Sequence, residues 1–251
     1  MDRPIASRRL NAYAVFAVLS GALALPSVGW ASSGGAGLTP TVNAGVPGAA
    51  VQAGDATVSA SGSGITLQTQ ASALLRKGLS FSGTASPSAA GDTIEIERSG
   101  HQTDWRWAET VTATVAGDGS FGAVWHTNHI GRFAIRAVVA SPPLAQSAAA
   151  TPALTITVYR PSLATQYGPG FYGQRTACGQ KLKPNMIGLA NRTLKCGSSV
   201  AIYYEGRTLI VPVIDRGPYA NGADWDLTEA TGRALGINGT AEIGAVSLPL
   251  Q

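Results

Sequence analysis

Histidine and charged residues are scarce in this sequence, and their distribution excludes several kinds of site. The only histidines are His101, His126 and His129, and 13% of the residues are Asp, Glu, Lys or Arg. The cationic residues form no run that resembles a nucleic-acid-binding patch, so we expect no nucleic-acid partner. Zinc needs three or four protein ligands, so the absence of His from the last third of the chain argues against a metal centre there.

Long apolar runs are also missing, because no stretch has the about 20 apolar residues that a membrane-spanning helix needs. The nearest candidate, residues 12–25, follows three arginines and is broken by Pro26. This order of basic, apolar and small residues is typical of a secretory signal peptide, which we assign to residues 1–31. An uncleaved anchor helix is the alternative. We expect a protein secreted to the cell wall or periplasm, with no stable membrane insertion after cleavage.

Cysteine occurs only twice, at Cys178 and Cys196. A metal site is the alternative to a disulfide for such a pair, but further ligands are missing from this region. Exported chains meet oxidising conditions, which favours the disulfide. It would close a loop of about 19 residues and, in the chain-entropy model, stabilise the fold by about 3 kcal/mol.

Two regions precede the last third of the chain. Residues 32–64 have almost no charge and no periodicity, which predicts a flexible linker. Residues 65–160 alternate apolar and polar side chains between turn signals, which predicts a β-sandwich that resembles the immunoglobulin-like modules of bacterial surface proteins. The strands are predicted at 79–83, 93–98, 110–115, 120–125, 132–138 and 154–158. Since Pro cannot donate to a strand ladder, we place the end of the last strand, and the boundary, at Arg160-Pro161.

Some side chains of the predicted sandwich allow two interpretations. The spacing of His126 and His129 could bring two metal ligands together, but no third ligand is obvious and a solvated loop is the alternative. If the segment 105–107 is a strand, Trp105 and Trp107 share one of its faces, where they could stack on sugars or pack in the core or at its rim. We predict no metal and no other cofactor.

Residues 161–251 combine short apolar segments, many turn signals and one helical pattern. Strands are predicted at 200–204, 208–214 and 245–248, and a helix over 227–235, with Thr228 as a possible cap and Gly236 as its stop. About six short strands and one helix fit a small closed barrel. The predicted fold class is therefore mainly β.

Five motif blocks follow one another in this C-terminal region. They are residues 166–168, 173–179, 190–194, 213–219 and 225–228, of which Asp215-Arg216-Gly217-Pro218 and Asp226-Leu227-Thr228 are the most specific. In this order the blocks resemble the double-psi β-barrel of the rare lipoprotein A family, which is related to expansins and to some lytic transglycosylases. The resemblance implies a six-stranded barrel with a polysaccharide groove over one face.

Two carboxylates in these blocks are the candidate catalytic residues. Cleavage of a glycosidic bond needs a proton donor to the leaving oxygen, and an apolar environment raises a carboxyl pKa as that role requires. Asp226 lies between Trp225 and Leu227, and Asp215 follows an apolar strand. The resemblance implies that Asp226 is the Asp shared with expansins and lytic relatives, and Asp215 the other groove Asp. Alternatively, Asp215 binds turn amides and Asp226 caps the helix.

Residues beside the blocks are candidates for substrate binding. Aromatic rings could stack on pyranose faces or pack at the barrel rim. Arg216 could bind a carboxylate of a muramyl peptide, although we favour a role in bracing Asp215 or Asp226. The candidate substrate-binding residues are Tyr167, Phe171, Tyr172, Thr176, Arg216 and Tyr219.

Three positions depart from the lytic members of the family. Gln180, Lys183 and Asn191 stand where the resemblance places a Glu, an Asp and a His, and none of them is a general acid near neutral pH unless Lys183 is strongly perturbed. Three functions therefore stay open: a lytic transglycosylase acting through Asp226, a non-catalytic expansin-like module, and a scaffold. The expected partner is peptidoglycan or another cell-wall polysaccharide, and the expected state is a monomer.

Overall fold

The structure is a computed structural model that describes residues 50–140, 150–220 and 222–248. The signal peptide predicted for 1–31 and most of the predicted linker lie outside the described residues. Within the described ranges, strands dominate and no helix is long and apolar enough to cross a membrane. The prediction of a mainly β fold is confirmed.

The first part of the described chain forms two β-sheets around one apolar core. The first sheet has the order β2-β3-β5-β8, and the second contains β4, β6, β7, β9 and the first half of β10. Their bounds are β2 Thr57–Gly62, β3 Ile65–Gln70, β4 Ser72–Leu74, β5 Gly78–Thr84, β6 Thr93–Ser99, β7 Ala108–Thr114, β8 Ser120–His126, β9 Gly131–Val139 and β10 Leu154–Tyr167. Alternate apolar side chains, among them Leu67, Phe81 and Ile135, are buried between the sheets. All six strands predicted for this region are present, and an immunoglobulin-like identity stays a prediction.

Part of the predicted linker is ordered. Strand β2 pairs with β3 over its whole length, and β1 (Gln52–Ala53) pairs with Thr208 and Arg207 of the C-terminal region. The prediction of flexibility over 32–64 is therefore wrong for these residues. Composition misled because backbone pairing to a neighbouring strand needs no large apolar side chain.

Strand β10 continues through the proline that was expected to end it. It pairs with β9 up to Val158 and with β4 up to Tyr159, and from Arg160 onward it pairs with β15 (Ala241–Ser247) and β14 (Trp225–Thr228). The prediction that the strand ends at Arg160-Pro161 is wrong, because Pro161 falls where the strand changes partners. The domain boundary placed there stays a prediction.

The second half of β10 belongs to a closed barrel of six strands. The order is β14-β11-β13-β12-β15-β10, and parallel pairing of β10 with β14 closes the ring. The remaining members are β11 Leu189–Ala190, β12 Ser199–Tyr204 and β13 Arg207–Asp215. Side chains such as Val200, Leu209 and Leu227 fill the interior. The predicted six-stranded barrel is confirmed.

Helix α1 and one disulfide complete the barrel. The helix spans Glu229–Leu235, with the Thr228 hydroxyl accepting from the Thr231 amide and with Gly236 left-handed at φ 81°. It begins later than predicted, because residues 225–228 pair as β14. Cys178 and Cys196 form the predicted disulfide, with their Cα atoms 5.7 Å apart.

Apolar packing joins the two-sheet region to the barrel. Tyr159 of β10 is buried with Ala201 and Val246 of the barrel, and its ring lies 5.6 Å from that of Tyr203. The Tyr203 hydroxyl donates to Asp55, just after β1, at 2.6 Å. The junction is therefore packed and hydrogen-bonded as well as covalently continuous.

Candidate active site

Both candidate carboxylates lie in one row of residues across neighbouring barrel strands. Ala190 of β11 is in register with Asp215 of β13 on one side and with Asp226 of β14 on the other. Asp226 is in turn in register with Thr165 of β10. Two strand spacings put the Cα atoms of the aspartates about 10 Å apart. Because the Ala190 side chain is small, no large side chain of β11 stands between the two carboxylates in this row.

Asp226 is half-buried and has one side-chain hydrogen-bond donor. The Thr165 hydroxyl donates to Asp226 Oδ1 at 2.8 Å. Burial raises the pKa of Asp226 above its ordinary value; the hydrogen bond from Thr165 opposes this, and the negative charge of Asp215 adds to it. A raised carboxyl pKa favours the protonated form that a general acid needs. The alternative that Asp226 caps the helix is wrong, because Thr228 makes the cap.

Asp215 is held by backbone amides. Its Oδ1 accepts from the amides of Ala177 and Arg216, each at 2.8 Å. The hydrogen-bond donors of Asp215 are therefore main-chain amides, whereas the donor to Asp226 is a side-chain hydroxyl. The expectation that Asp215 binds turn amides describes this geometry, and it does not conflict with a place beside a substrate.

Tyr167 stands next to the carboxylates. It lies two residues beyond Thr165 on β10, hence on the same face. Burial raises the pKa of Tyr167, and the charges of Asp215 and Asp226 raise it further. Its hydroxyl is buried and has no hydrogen-bond partner among the described residues. A protonated hydroxyl with a free donor therefore lies within the field of both aspartates.

Two further aromatic candidates are exposed on loops that flank this row. The Phe171 side chain is 54% exposed and packs edge-on against Tyr167, with ring centroids 6.3 Å apart. Tyr219 follows Asp215 by four residues and is 80% exposed. Both rings are free to contact a ligand, as a stacking role would require.

Arg216 contacts main-chain oxygens rather than a carboxylate. Its Nη1 donates to the carbonyls of Asn191 at 3.5 Å and Asp215 at 3.4 Å. Of the described carboxylates, none lies within 4.0 Å of its guanidinium. The bracing expected of Arg216 therefore reaches Asp215 through the Arg216 amide and the loop backbone.

Tyr172 and Thr176 make hydrogen bonds to groups other than the two aspartates. The Tyr172 hydroxyl donates to Glu229, at the start of α1. Thr176 is buried, and its hydroxyl accepts from the Gln180 amide at 3.2 Å within a tight turn. Both side chains stabilise the local fold, and their assignment to substrate binding stays a prediction.

Three residues depart from the Glu, Asp and His that the sequence resemblance implies. They either hold a loop or are exposed to solvent. Asn191 Oδ1 accepts from the amides of Thr193 at 3.1 Å and Leu194 at 2.9 Å, which holds the loop after β11. Gln180 and Lys183 are exposed. None of the three supplies a titrating acid beside Asp226.

Sequence reasoning missed Thr165 and Ala190. The Thr165 hydroxyl donates a hydrogen bond to Asp226, and Ala190 lies on the strand between the two aspartates. Thr165 lies in no motif block and Ala190 only opens the block 190–194, so it is the register of β10, β11 and β14 that brings them to the site. Within the described ranges no three His, Cys, Asp or Glu side chains cluster as metal ligands. The chemistry that this arrangement offers is proton transfer by carboxyl groups.

Comparison with known proteins gives a consistent family. Residues 164–247 match the family model described as "Lytic transglycolase". The "Probable endolytic peptidoglycan transglycosylase RlpA" of Synechocystis sp. is 37% identical over 100 residues, which cover 39% of this chain and 31% of that protein. The "Endolytic peptidoglycan transglycosylase RlpA" of Pasteurella multocida is 34% identical over 93 residues, 36% of this chain and 31% of that protein.

These matches span about a third of each relative's length. A solved structure titled "Streptomyces papain inhibitor (SPI)" covers 36% of this chain and 93% of its own, at 24% identity and a TM-score of 0.29. That TM-score is too low to support an argument. The sequence matches and the closed six-stranded ring agree with each other. The C-terminal region is therefore a double-psi β-barrel that matches the lytic transglycolase family model over residues 164–247 and is similar in sequence to RlpA proteins.

Proposed function

We propose that the barrel acts on the glycan strands of peptidoglycan as an endolytic transglycosylase, with Asp226 as its general acid and base. The observation that carries this proposal is the half-buried Asp226, whose pKa is raised, one strand removed from Asp215. The family match and the names of the relatives support the reaction type and the polymer. The protein would then work in the cell wall or periplasm, after export directed by residues 1–31.

A single carboxyl group suffices for the reaction. Protonated Asp226 gives its proton to the glycosidic oxygen as the bond between that oxygen and C1 breaks. The resulting carboxylate then accepts the proton of a hydroxyl on the same sugar, whose oxygen bonds to C1 and closes an anhydro ring. No water is consumed, and Asp226 ends protonated again. The negative charge of Asp215 would stabilise the positive charge that develops on the sugar.

Groups around the aspartates suit this substrate. Exposed Phe171 and Tyr219 would stack on the apolar faces of pyranose rings beside the scissile bond. The Tyr167 hydroxyl keeps its proton and would donate it in a hydrogen bond as the site closes around the sugar.

One observation favours a second function, a non-catalytic expansin-like module. Asn191 uses its side chain to hold the loop after β11, and Gln180 and Lys183 are exposed, so the acidic and His groups of lytic relatives have no substitute here. A groove that keeps Asp215 and Asp226 could still bind and loosen wall polysaccharide without cleavage.

Product analysis distinguishes the two functions. The mature protein, Asp226→Asn and the control Asp92→Asn, an exposed aspartate of the two-sheet region, are incubated with peptidoglycan, either intact or stripped of stem peptides. Mass spectrometry then detects glycans with anhydro ends. We expect such products from the parent and the control, and a loss of at least about a hundredfold in Asp226→Asn, as is typical when an acid–base group is removed.

Other outcomes decide against catalysis. The expansin-like function would be established if the parent releases no products but sediments with the polymer, and if Asp226→Asn weakens that sedimentation. Absence of both release and binding would overturn both proposals and leave the barrel as a scaffold.

A further inference from the structure

A cleft of 840 Å³ opens where the two-sheet region meets the barrel. One wall consists of the turn 101–105 and Arg132 at the start of β9, and the other consists of Ile210, Ser247 and Leu248 of the barrel. Neither Asp215 nor Asp226 lines it. Its volume lies within the about 300–1,000 Å³ of typical ligand sites. The packed junction around Tyr159 holds both walls in place.

Trp105 is the most unusual residue of the cleft. Its side chain is 65% exposed, and its backbone is left-handed at φ 61°, directly after Asp104 at φ 50°. Non-glycine residues rarely adopt this conformation, and strain of this kind persists where the surrounding fold imposes it. The Trp105 amide donates to Gly100 at 3.0 Å, which fixes the turn. The turn therefore presents a large apolar ring to solvent.

Trp105 and Trp107 would share one face only if residues 105–107 formed a strand, and they do not. The indole of Trp107 packs under the Arg136 guanidinium, 4.2 Å from the ring centroid, whereas Trp105 lies in a turn before β7. Only Trp105 is therefore free to act as a stacking platform.

Polar groups also line the cleft. The Gln102 Nε2 atom donates to Ile130 at 2.6 Å, which fixes the Gln102 amide at the cleft wall. His101 and Ser247 are further lining residues, and both are exposed. A cleft that combines a flat apolar ring with hydroxyl, amide and imidazole groups suits the apolar face and polar rim of a pyranose.

The charge of the cleft has one sign. Arg132 is exposed, and among the described residues it has no carboxylate partner within 4.0 Å. None of the described residues that line the cleft is Asp or Glu. The lining therefore favours a ligand that carries carboxylates.

We propose that this cleft is a second glycan-binding site, which stacks a sugar on Trp105 and pairs a sugar carboxylate with Arg132. The identity of its ligand, a peptidoglycan strand with muramic acid carboxylates, rests on the proposed function. Ile210 and Asp215 lie on the same strand, β13, about 17 Å apart. A glycan strand several sugars long can therefore contact the cleft and the aspartates together, which would hold the polymer between successive cleavages.

Binding measurements with full-length mature protein test this site. The probes are soluble glycan fragments stripped of stem peptides, which carry free muramic acid carboxylates, and neutral oligomers of N-acetylglucosamine. Titration calorimetry compares the parent with Trp105→Ala, Arg132→Gln and the control Val124→Ala, an exposed apolar residue of β8. We expect Trp105→Ala to weaken binding of both probes by about tenfold. Arg132→Gln should weaken only the carboxylated probe, and Val124→Ala should change neither.

Unchanged affinity in Trp105→Ala would overturn the second site, and equal effects of Arg132→Gln on both probes would overturn its preference for carboxylates. Release of anhydro ends from the same fragments reports on the barrel separately. Asp226→Asn should abolish that release while Trp105-dependent binding persists. If the parent binds the fragments without releasing anhydro ends, the transglycosylase function is contradicted and the second site stands. If the parent releases anhydro ends but its binding does not depend on Trp105, the second site is contradicted and the transglycosylase function stands.

Discussion

Asp215 and Asp226 are two identical side chains that the fold places in different surroundings. Two backbone amides hold Asp215, whereas a single hydroxyl and partial burial surround Asp226. Burial raises the pKa of Asp226 and so favours its carboxylic acid form, which is the form that a general acid needs.

The raised pKa of Asp226 predicts a pH-dependent effect of its replacement. In the window from about 3.9, the ordinary Asp value, up to the raised pKa, the folded state binds more protons than the unfolded state. The parent therefore loses stability as pH rises through that window. Asn cannot ionise, so the free energy of unfolding of Asp226→Asn, relative to the parent, should increase from about pH 3 to about pH 7. Urea unfolding at both pH values measures it.

The exposed Asp92→Asn is the control for that measurement, because its carboxylate is already in water. If the difference in the free energy of unfolding between Asp226→Asn and the parent stays constant with pH, the raised pKa of Asp226 is contradicted.

At the scale of elements, the disulfide supports the candidate site. Cys178 follows Ala177, whose amide donates to Asp215, and Cys196 precedes Gly197, whose amide donates to Val213 on β13 at 2.8 Å. The bond therefore ties the loop that holds Asp215 to the strand that carries it.

Replacement of both cysteines by serine should lower the free energy of unfolding by about 3 kcal/mol, because the unfolded chain regains the entropy of an open loop. Urea unfolding of the oxidised parent and of the double variant measures this loss. Reduced parent is the matched control and should unfold at nearly the same urea concentration as the variant. Equal midpoints for the variant and the oxidised parent would contradict the expectation.

At the scale of the whole molecule, one strand and one apolar cluster join the two-sheet region to the barrel. β10 contributes to both, and Gly244 of β15 lies against Tyr159 at the junction. A Cβ at Gly244 would lie 2.8 Å from the Tyr159 Cβ atom and 3.0 Å from Leu74 Cδ2. Since these atoms belong to packed strands, space for a methyl group must come from movement of the junction.

Gly244→Ala should therefore destabilise the protein by about 1–3 kcal/mol. Because β10 is shared, calorimetry should show a single transition that moves to lower temperature as a whole. Gly117→Ala is the control, since nothing lies within 4 Å of a Cβ there, and its transition should stay within about 1 kcal/mol of the parent. Two transitions, of which only one shifts, would show that the regions unfold independently.

Much of the fold could be predicted from local pattern. Period-2 alternation located strands such as β5 and β9, and Thr228 and Gly236 marked the ends of the helix, because capping depends on a few adjacent residues. The same reasoning failed at residues 57–62, which pair with the adjacent strand β3, and at Pro161, where β10 pairs with the distant strand β15; in both places backbone pairing outweighs composition and local propensity.

The sequence by itself determined the motif blocks, the two cysteines and the two candidate aspartates, because these depend on residue identity and spacing. Only the tertiary structure decided that Ala190 places Asp215 and Asp226 in one row, and that Thr165 and Tyr167 stand beside them. It alone placed Trp105 in a cleft with Arg132, at the junction of two regions that the sequence presents as separate. The reason is physical: strand register and sheet closure join residues far apart in the chain, and no local pattern encodes that distance.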